Sequence, residues 1–112
     1  ESSGIFTFPS TGYWLVRYFI TWYGGEDRYL LQQLQCTIDN STYAIPATST
    51  TFIQPTSGTS STIGVCETII DVTSTSNVKV SFHAVTNEQS GSVTGTSVTN
   101  ATYFTFLRLA DT

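Results

Sequence analysis

At 112 residues the chain has room for one domain, and a domain of this size buries roughly 60–70% of the surface its unfolded chain exposes. Its net charge of −4, with four scattered basic residues (Arg17, Arg28, Lys79, Arg108), lacks the clustered cations that nucleic acid requires, and no apolar run approaches the roughly 20 residues of a membrane-spanning helix. Only 11% of residues are charged, while 14 Ser and 21 Thr supply the polar surface, a composition that favours strands over helices.

Ile5 to Phe8 reads as a short alternating strand stopped by Pro9, and Pro9-Ser10-Thr11-Gly12 as a turn. Residues 13–23 follow as one long strand that is apolar on both faces. Trp14, Val16, Tyr18, Ile20 and Trp22 form one row, and Tyr13, Leu15, Phe19 and Tyr23 the other, broken by Arg17 and Thr21. A strand with one face in water alternates apolar with polar, so something besides the chain's own core is expected to cover the second row.

Gly24-Gly25-Glu26-Asp27 is the next turn, and residues 28–38 a second long strand with Leu30, Leu34, Cys36 and Ile38 on one face. Asp39-Asn40-Ser41 again has turn chemistry. Tyr43 to Phe52 is a strand interrupted by Pro46, which places it at an edge or gives it a bulge. Residues 55–61 are a flexible loop, 62–72 another strand and 73–77 a turn. Val78, Val80, Phe82 and Ala84 alternate with Lys79, Ser81 and His83 in a half-buried strand. Residues 86–100 hold a weak strand within long loops, anchored by Val93 and Val98, and 101–109 form the last strand, again apolar on both faces. Strands of this number and spacing, with turn signals between them and no helical pattern, predict a single all-β domain over 1–112, an antiparallel β-sandwich or jelly roll. The chain contains no Met and opens at Glu1, which suggests a processed product or part of something longer.

Three segments resemble a known family. Phe6-Thr7-Phe8-Pro9-Ser10-Thr11-Gly12-Tyr13-Trp14-Leu15-Val16 is similar to the F-x-x-P-x-x-G-x-Y-x-F segment of complement globular heads (the C-one-q-like fold). Ile70-Asp71-Val72 through Val78-Lys79-Val80 resembles that family's L-x-L…G-D-x-V-x-L stretch. Thr102-Tyr103-Phe104-Thr105-Phe106-Leu107-Arg108-Leu109 resembles its C-terminal T-F-S-G-F-L-L, and equally the last strand of tumour-necrosis-factor ligands. Trp14 and Val16 stand where the family has Tyr and Phe, Thr105 where it has Gly, and Ser76-Asn77 replaces its Gly-Asp turn. The family's first strand has no counterpart here, so preceding residues or another chain are expected to supply the strand beside 101–109. The Thr- and Ser-rich, Lys-poor character looks most like viral, phage and bacterial members that cap fibres and surface appendages.

The resemblance implies a trimer-forming jelly roll of the tumour-necrosis-factor type. An inner sheet near a threefold axis must be apolar on both faces. In the last strand, Tyr103, Leu107 and Leu109 share one face, Phe104 and Phe106 the other, with Arg108 ending the second row; Phe104 and Phe106 are expected to face the trimer axis. Strand 13–23 lies in the outer sheet of the family, which puts Tyr13, Leu15, Phe19 and Tyr23 outside, covered by a neighbouring subunit or, failing that, forming a contact patch for a partner.

Candidate chemistry is sparse. Glu26 and Asp27 in their Gly-rich turn suit either calcium or a solvated loop. His83 suits a pH-sensitive interface or a quiet surface position. Cys36 and Cys66 are read as small buried hydrophobes, with a disulfide as the alternative, and a lone His leaves zinc without ligands. No nucleophile turn of the Gly-x-Ser-x-Gly kind occurs, and no two acids are placed in one apolar cleft. Asn40-Ser41-Thr42 and Asn100-Ala101-Thr102 match the glycosylation pattern. Tyr23, Tyr43 and Phe52 are aromatics near turns that suit either stacking on sugar rings or the rim of the sandwich. The expected function is the trimeric structural and adhesive knob of a virion or phage fibre or decoration protein. It would sit at the virion surface or outside the cell and display the loops 24–28 (Glu26, Asp27, Arg28), 55–61 and 86–97 toward a host-surface receptor or glycan. A secreted complement-head or cytokine-like recognition domain and a small carbohydrate-active enzyme are the alternatives.

Overall fold

The computed structural model describes residues 1–24, 26–54, 60–87 and 90–112; most of the 55–61 loop and two positions of the 86–97 loop lie outside these. Among the described residues the protein is all-β. Its strands are β1 (Ile5–Thr7), β2 (Gly12–Tyr23), β3 (Tyr29–Thr37), β4 (Tyr43–Phe52), β5 (Ser61–Val72), β6 (Lys79–Thr86), β7 (Ser92–Val93) and β8 (Tyr103–Ala110). One sheet has the order β1-β6-β3-β4. In the other, β2 is central, with β5 on one side and β7 and β8 on the other. Every pairing is antiparallel. No described helix is long and apolar enough to cross a membrane.

The two sheets enclose one core. The even row of β2 (Trp14, Val16, Tyr18, Ile20, Trp22) meets Leu30, Leu34 and Cys36 of β3, Val80 of β6, and Cys66, Ile70 and Val72 of β5. Each fully buried aliphatic or aromatic side chain here contributes about 1.5–3 kcal/mol relative to exposure. The inward row of β3 also contains Gln32, fully buried between Leu30 and Leu34. Gln32 takes its place because Gly64 of β5 faces it: a Cβ at Gly64 would lie within 2.1 Å of Gln32 Nε2. The Gln32 carbonyl oxygen Oε1 accepts from Ser49 Oγ at 2.5 Å. Ile38, expected on the same face, lies past the end of β3 and is exposed. Pro46 sits where β4, an edge strand, shifts register against β3 between Leu34 and Cys36, so both readings of that proline apply.

Two expectations about the last strand are corrected. β8 pairs with β2 and therefore lies in the same sheet as strand 13–23 rather than in the opposite one. Its register places Phe106 opposite Val16 and Phe104 opposite Tyr18. Residues directly opposite in a ladder share a face, so Phe104 and Phe106 turn between the sheets rather than away from the core. There they join Phe6, Phe8 and Phe82 in an aromatic cluster, with the Phe82 and Phe104 rings stacked at 4.1 Å. Phe104 remains 39% exposed because the cluster opens at that side of the sandwich. Among the described residues no strand pairs with the other edge of β8, so the strand expected to complete that edge is not contributed by any described part of this chain.

Candidate functional site

The corrected placement of β8 produces a surface that the sequence showed only in pieces. Since β5, β2 and β8 are consecutive, their outward rows adjoin. Ile69, Leu15 and Leu107 form one apolar row across the sheet, and Val65, Phe19 and Tyr103 form another. The Phe19 and Tyr103 rings stack with centroids 4.8 Å apart. Ile63 extends the second row, and Tyr13 lies beyond the first. Between the two rows lie Glu67, Arg17 and Thr105, and Arg17 donates from Nε and its terminal nitrogen to Glu67 Oε2 at 2.8 and 2.7 Å. Leu15 and Phe19 are half-buried by these neighbours, whereas Ile63, Val65, Ile69 and Leu107 are exposed. Reading residues 13–23 alone missed the β5 contribution. The signal was present, since residues 61–72 carry Ile63, Val65 and Ile69 on one parity and Cys66, Ile70 and Val72 on the other.

A second locus forms at one end of the sandwich. Tyr23 ends β2, and Tyr29 starts β3 opposite Phe52, which ends β4. Glu26, Asp27 and Arg28 lie between, so five of the six expected loop residues come together. Tyr43 does not, because it pairs with Thr37 at the far end of β3, roughly 25 Å away at strand rise. Asp27 is also corrected: expected as a solvated or calcium-holding loop residue, it is fully buried. Its carboxylate accepts from the Gly91 N–H and from Ser90 Oγ (3.2 Å), and its own N–H donates to Gly24 O at 2.7 Å. Burial of a carboxylate is tolerated only with such donors. Glu26 is exposed, with its N–H donating to Ser90 Oγ at 3.0 Å. The two acids thus diverge. Among the described residues no three His, Cys, Asp or Glu side chains are grouped to hold a metal ion.

The opposite end is organised by Asp39. The N–H groups of Thr42 and Ser41 and the hydroxyl of Thr37 all donate to its Oδ1, at 2.7, 2.9 and 2.9 Å, and hold its carboxyl far below the usual carboxylate range. Beside it a groove of about 570 Å³ runs between the edges of β4 and β5, lined by Cys36, Ile38, Pro46 and Ile69 together with Asp39 and Asp71. Cys36 and Cys66 are both free and buried, and burial pushes both thiols up, so neither is an activated nucleophile. Ser81 Oγ and His83 Nε2 lie 3.1 Å apart, a hydrogen bond between neighbours on one face of β6, where His83 is exposed.

No protein-family model matches the chain, and neither curated proteins nor solved structures give a match.

Proposed function

We propose that the protein is a self-assembling structural and adhesive module without catalytic function: a homotrimer of jelly-roll sandwiches that forms the knob of a viral or phage fibre or decoration protein and presents one loop end to a host-surface molecule. The observation that carries this reading is the outer face of β5, β2 and β8, where two apolar rows flank the paired Arg17 and Glu67. Strands of twelve, twelve and eight residues cover about 500 Å² of sheet face per copy, polar residues included. That is more than half of the roughly 800 Å² each partner gives to a standard interface. The ion pair of Arg17 with Glu67 in the middle of this face fits a surface that must pack in one register, since a desolvated charge left unpaired is costly.

Strand order supports the jelly-roll part of the reading. The chain crosses between the sheets at β1–β2, β2–β3, β4–β5, β5–β6 and β6–β7, so that each sheet interleaves early and late strands. The resemblance of residues 6–16 and 102–109 to trimeric heads points the same way. Tyr13, Leu15 and Phe19 keep their expected interface role. Phe104 and Phe106 support it from behind, as the packing beneath the face.

The test is the native mass by light scattering or sedimentation. The wild type is expected at three times the 12.2 kDa of one chain. Phe19→Asp and Leu15→Asp are expected at the single-chain mass with an unchanged far-ultraviolet spectrum. A wild type that stays at the single-chain mass across all workable concentrations removes the proposal.

A further inference from the structure

Arg28 differs from the other two arginines. Arg17 is paired with Glu67 and Arg108 with Asp111. Among the described residues Arg28 has no ion-pair partner, yet its main chain is held from two directions. Its N–H donates to Asn87 Oδ1 at 3.0 Å, and its carbonyl accepts from the Ile53 N–H at 2.9 Å. The exposed guanidinium therefore stands on a fixed backbone. Beside it is Phe52, 72% exposed, whose ring is braced edge-on by Tyr29 with centroids 6.5 Å apart. Arg28, Phe52, Ile53 and Gln54 line one open depression of about 590 Å³.

We propose that this depression binds a carboxylated sugar, such as a uronic or sialic acid residue of a surface glycan. The C–H face of the sugar ring stacks on Phe52, its carboxylate takes the two-pronged guanidinium of Arg28, and the Gln54 amide reaches a ring hydroxyl. Each part matches a chemical need. An aromatic face is an apolar platform of sugar-ring size. A guanidinium fits a carboxylate with two parallel hydrogen bonds. Arg28 is the one cation among the described residues lining the depression, and in a chain of net charge −4 it selects a ligand with one negative charge and disfavours polyphosphates, which need several. A neutral sugar would leave Arg28 unused. A single shallow site of this kind binds weakly, and three copies on one particle raise the apparent affinity through avidity.

The biological role of this site rests on the adhesive reading above, but its chemistry can be tested alone. The full chain, labelled with nitrogen-15, is titrated with glucuronate and separately with glucose. Glucuronate is expected to shift the amide signals of Arg28, Phe52, Ile53 and Gln54 saturably, with glucose at least roughly tenfold weaker, about 1.4 kcal/mol. Arg28→Gln should bring glucuronate down to the glucose level, and Phe52→Ala should weaken both sugars, with the remaining spectrum in place. Equal binding of the two sugars, shifts centred elsewhere, or an Arg28→Gln variant that binds glucuronate as well as the wild type overturns the site. A single-chain particle that binds glucuronate through Arg28 supports the site and overturns the trimer. A trimer with no such shifts overturns the site alone.

Discussion

Tyr18 shows what the core does to one side chain. It lies on the inward row of β2, against Phe82 and Phe104, with ring centroids at 5.3 and 5.2 Å. Burial, with Cys66 adding to it, pushes its phenol from 10.0 to about 12. The unfolded chain releases this proton near pH 10, whereas the folded chain holds it until about pH 12. The contribution to stability is therefore intact below pH 10 and is lost as the pH rises from 10 to 12. Urea-unfolding midpoints should fall across that window in the wild type and fall less in Tyr18→Phe; parallel curves for the two proteins would contradict the assignment. That Tyr18 is inward was readable from its place between Val16 and Ile20. The burial of Gln32 and Asp27 was not, because both depend on partners distant in sequence: Gly64 and Ser49 for one, Ser90 and Gly91 for the other.

At the level of the strand, alternation alone does not say which row of a doubly apolar strand faces inward, and a one-residue slip reverses the answer. In β2 the unbroken row Trp14 to Trp22 settled it, since Arg17 and Thr21 mark the other row. In β8 each row carries one polar residue, Thr105 in one and Arg108 in the other, and only the pairing of Phe106 with Val16 decides. The doubly apolar pattern was visible in the sequence and the direction was not. The structure thus separates two adjacent residues. Phe106 packs on Phe6, Phe8 and Phe82, so Phe106→Asp buries a charge among rings and should unfold the domain or cost it several kcal/mol. Leu107 is on the exposed outer row, so Leu107→Asp should leave the thermal midpoint of the isolated chain nearly unchanged while lowering the native mass. Equal destabilisation by the two would mean that the register is wrong.

Across the whole molecule, the two ends of the sandwich are held differently. One end closes on a short turn whose donors to Asp39 come from residues within three positions of it. The other end is held by contacts between segments far apart in sequence, with Asp27 joining residues 24–28 to 90–91 and Asn87 joining Arg28. Local turn chemistry was legible in Asp39-Asn40-Ser41; the long-range clamp left no local trace in Gly24-Gly25-Glu26-Asp27. Asp27→Ala should therefore speed amide exchange in residues 24–28 and 90–94 while the 39–42 turn keeps its protection, as read by hydrogen exchange. Uniform acceleration at both ends would show that Asp27 supports the global fold instead.

One strand border has a bearing on handling as well as on biology. Among the described residues nothing pairs with the outer side of β8, which offers main-chain donors and acceptors along Tyr103–Ala110 with no lysine or proline to interrupt them. Such a row is a template for any extended peptide that arrives with matching greasy side chains. Appended tags and linkers of that character would zip onto it, and a charged, proline-bearing tail is the safer choice at either terminus.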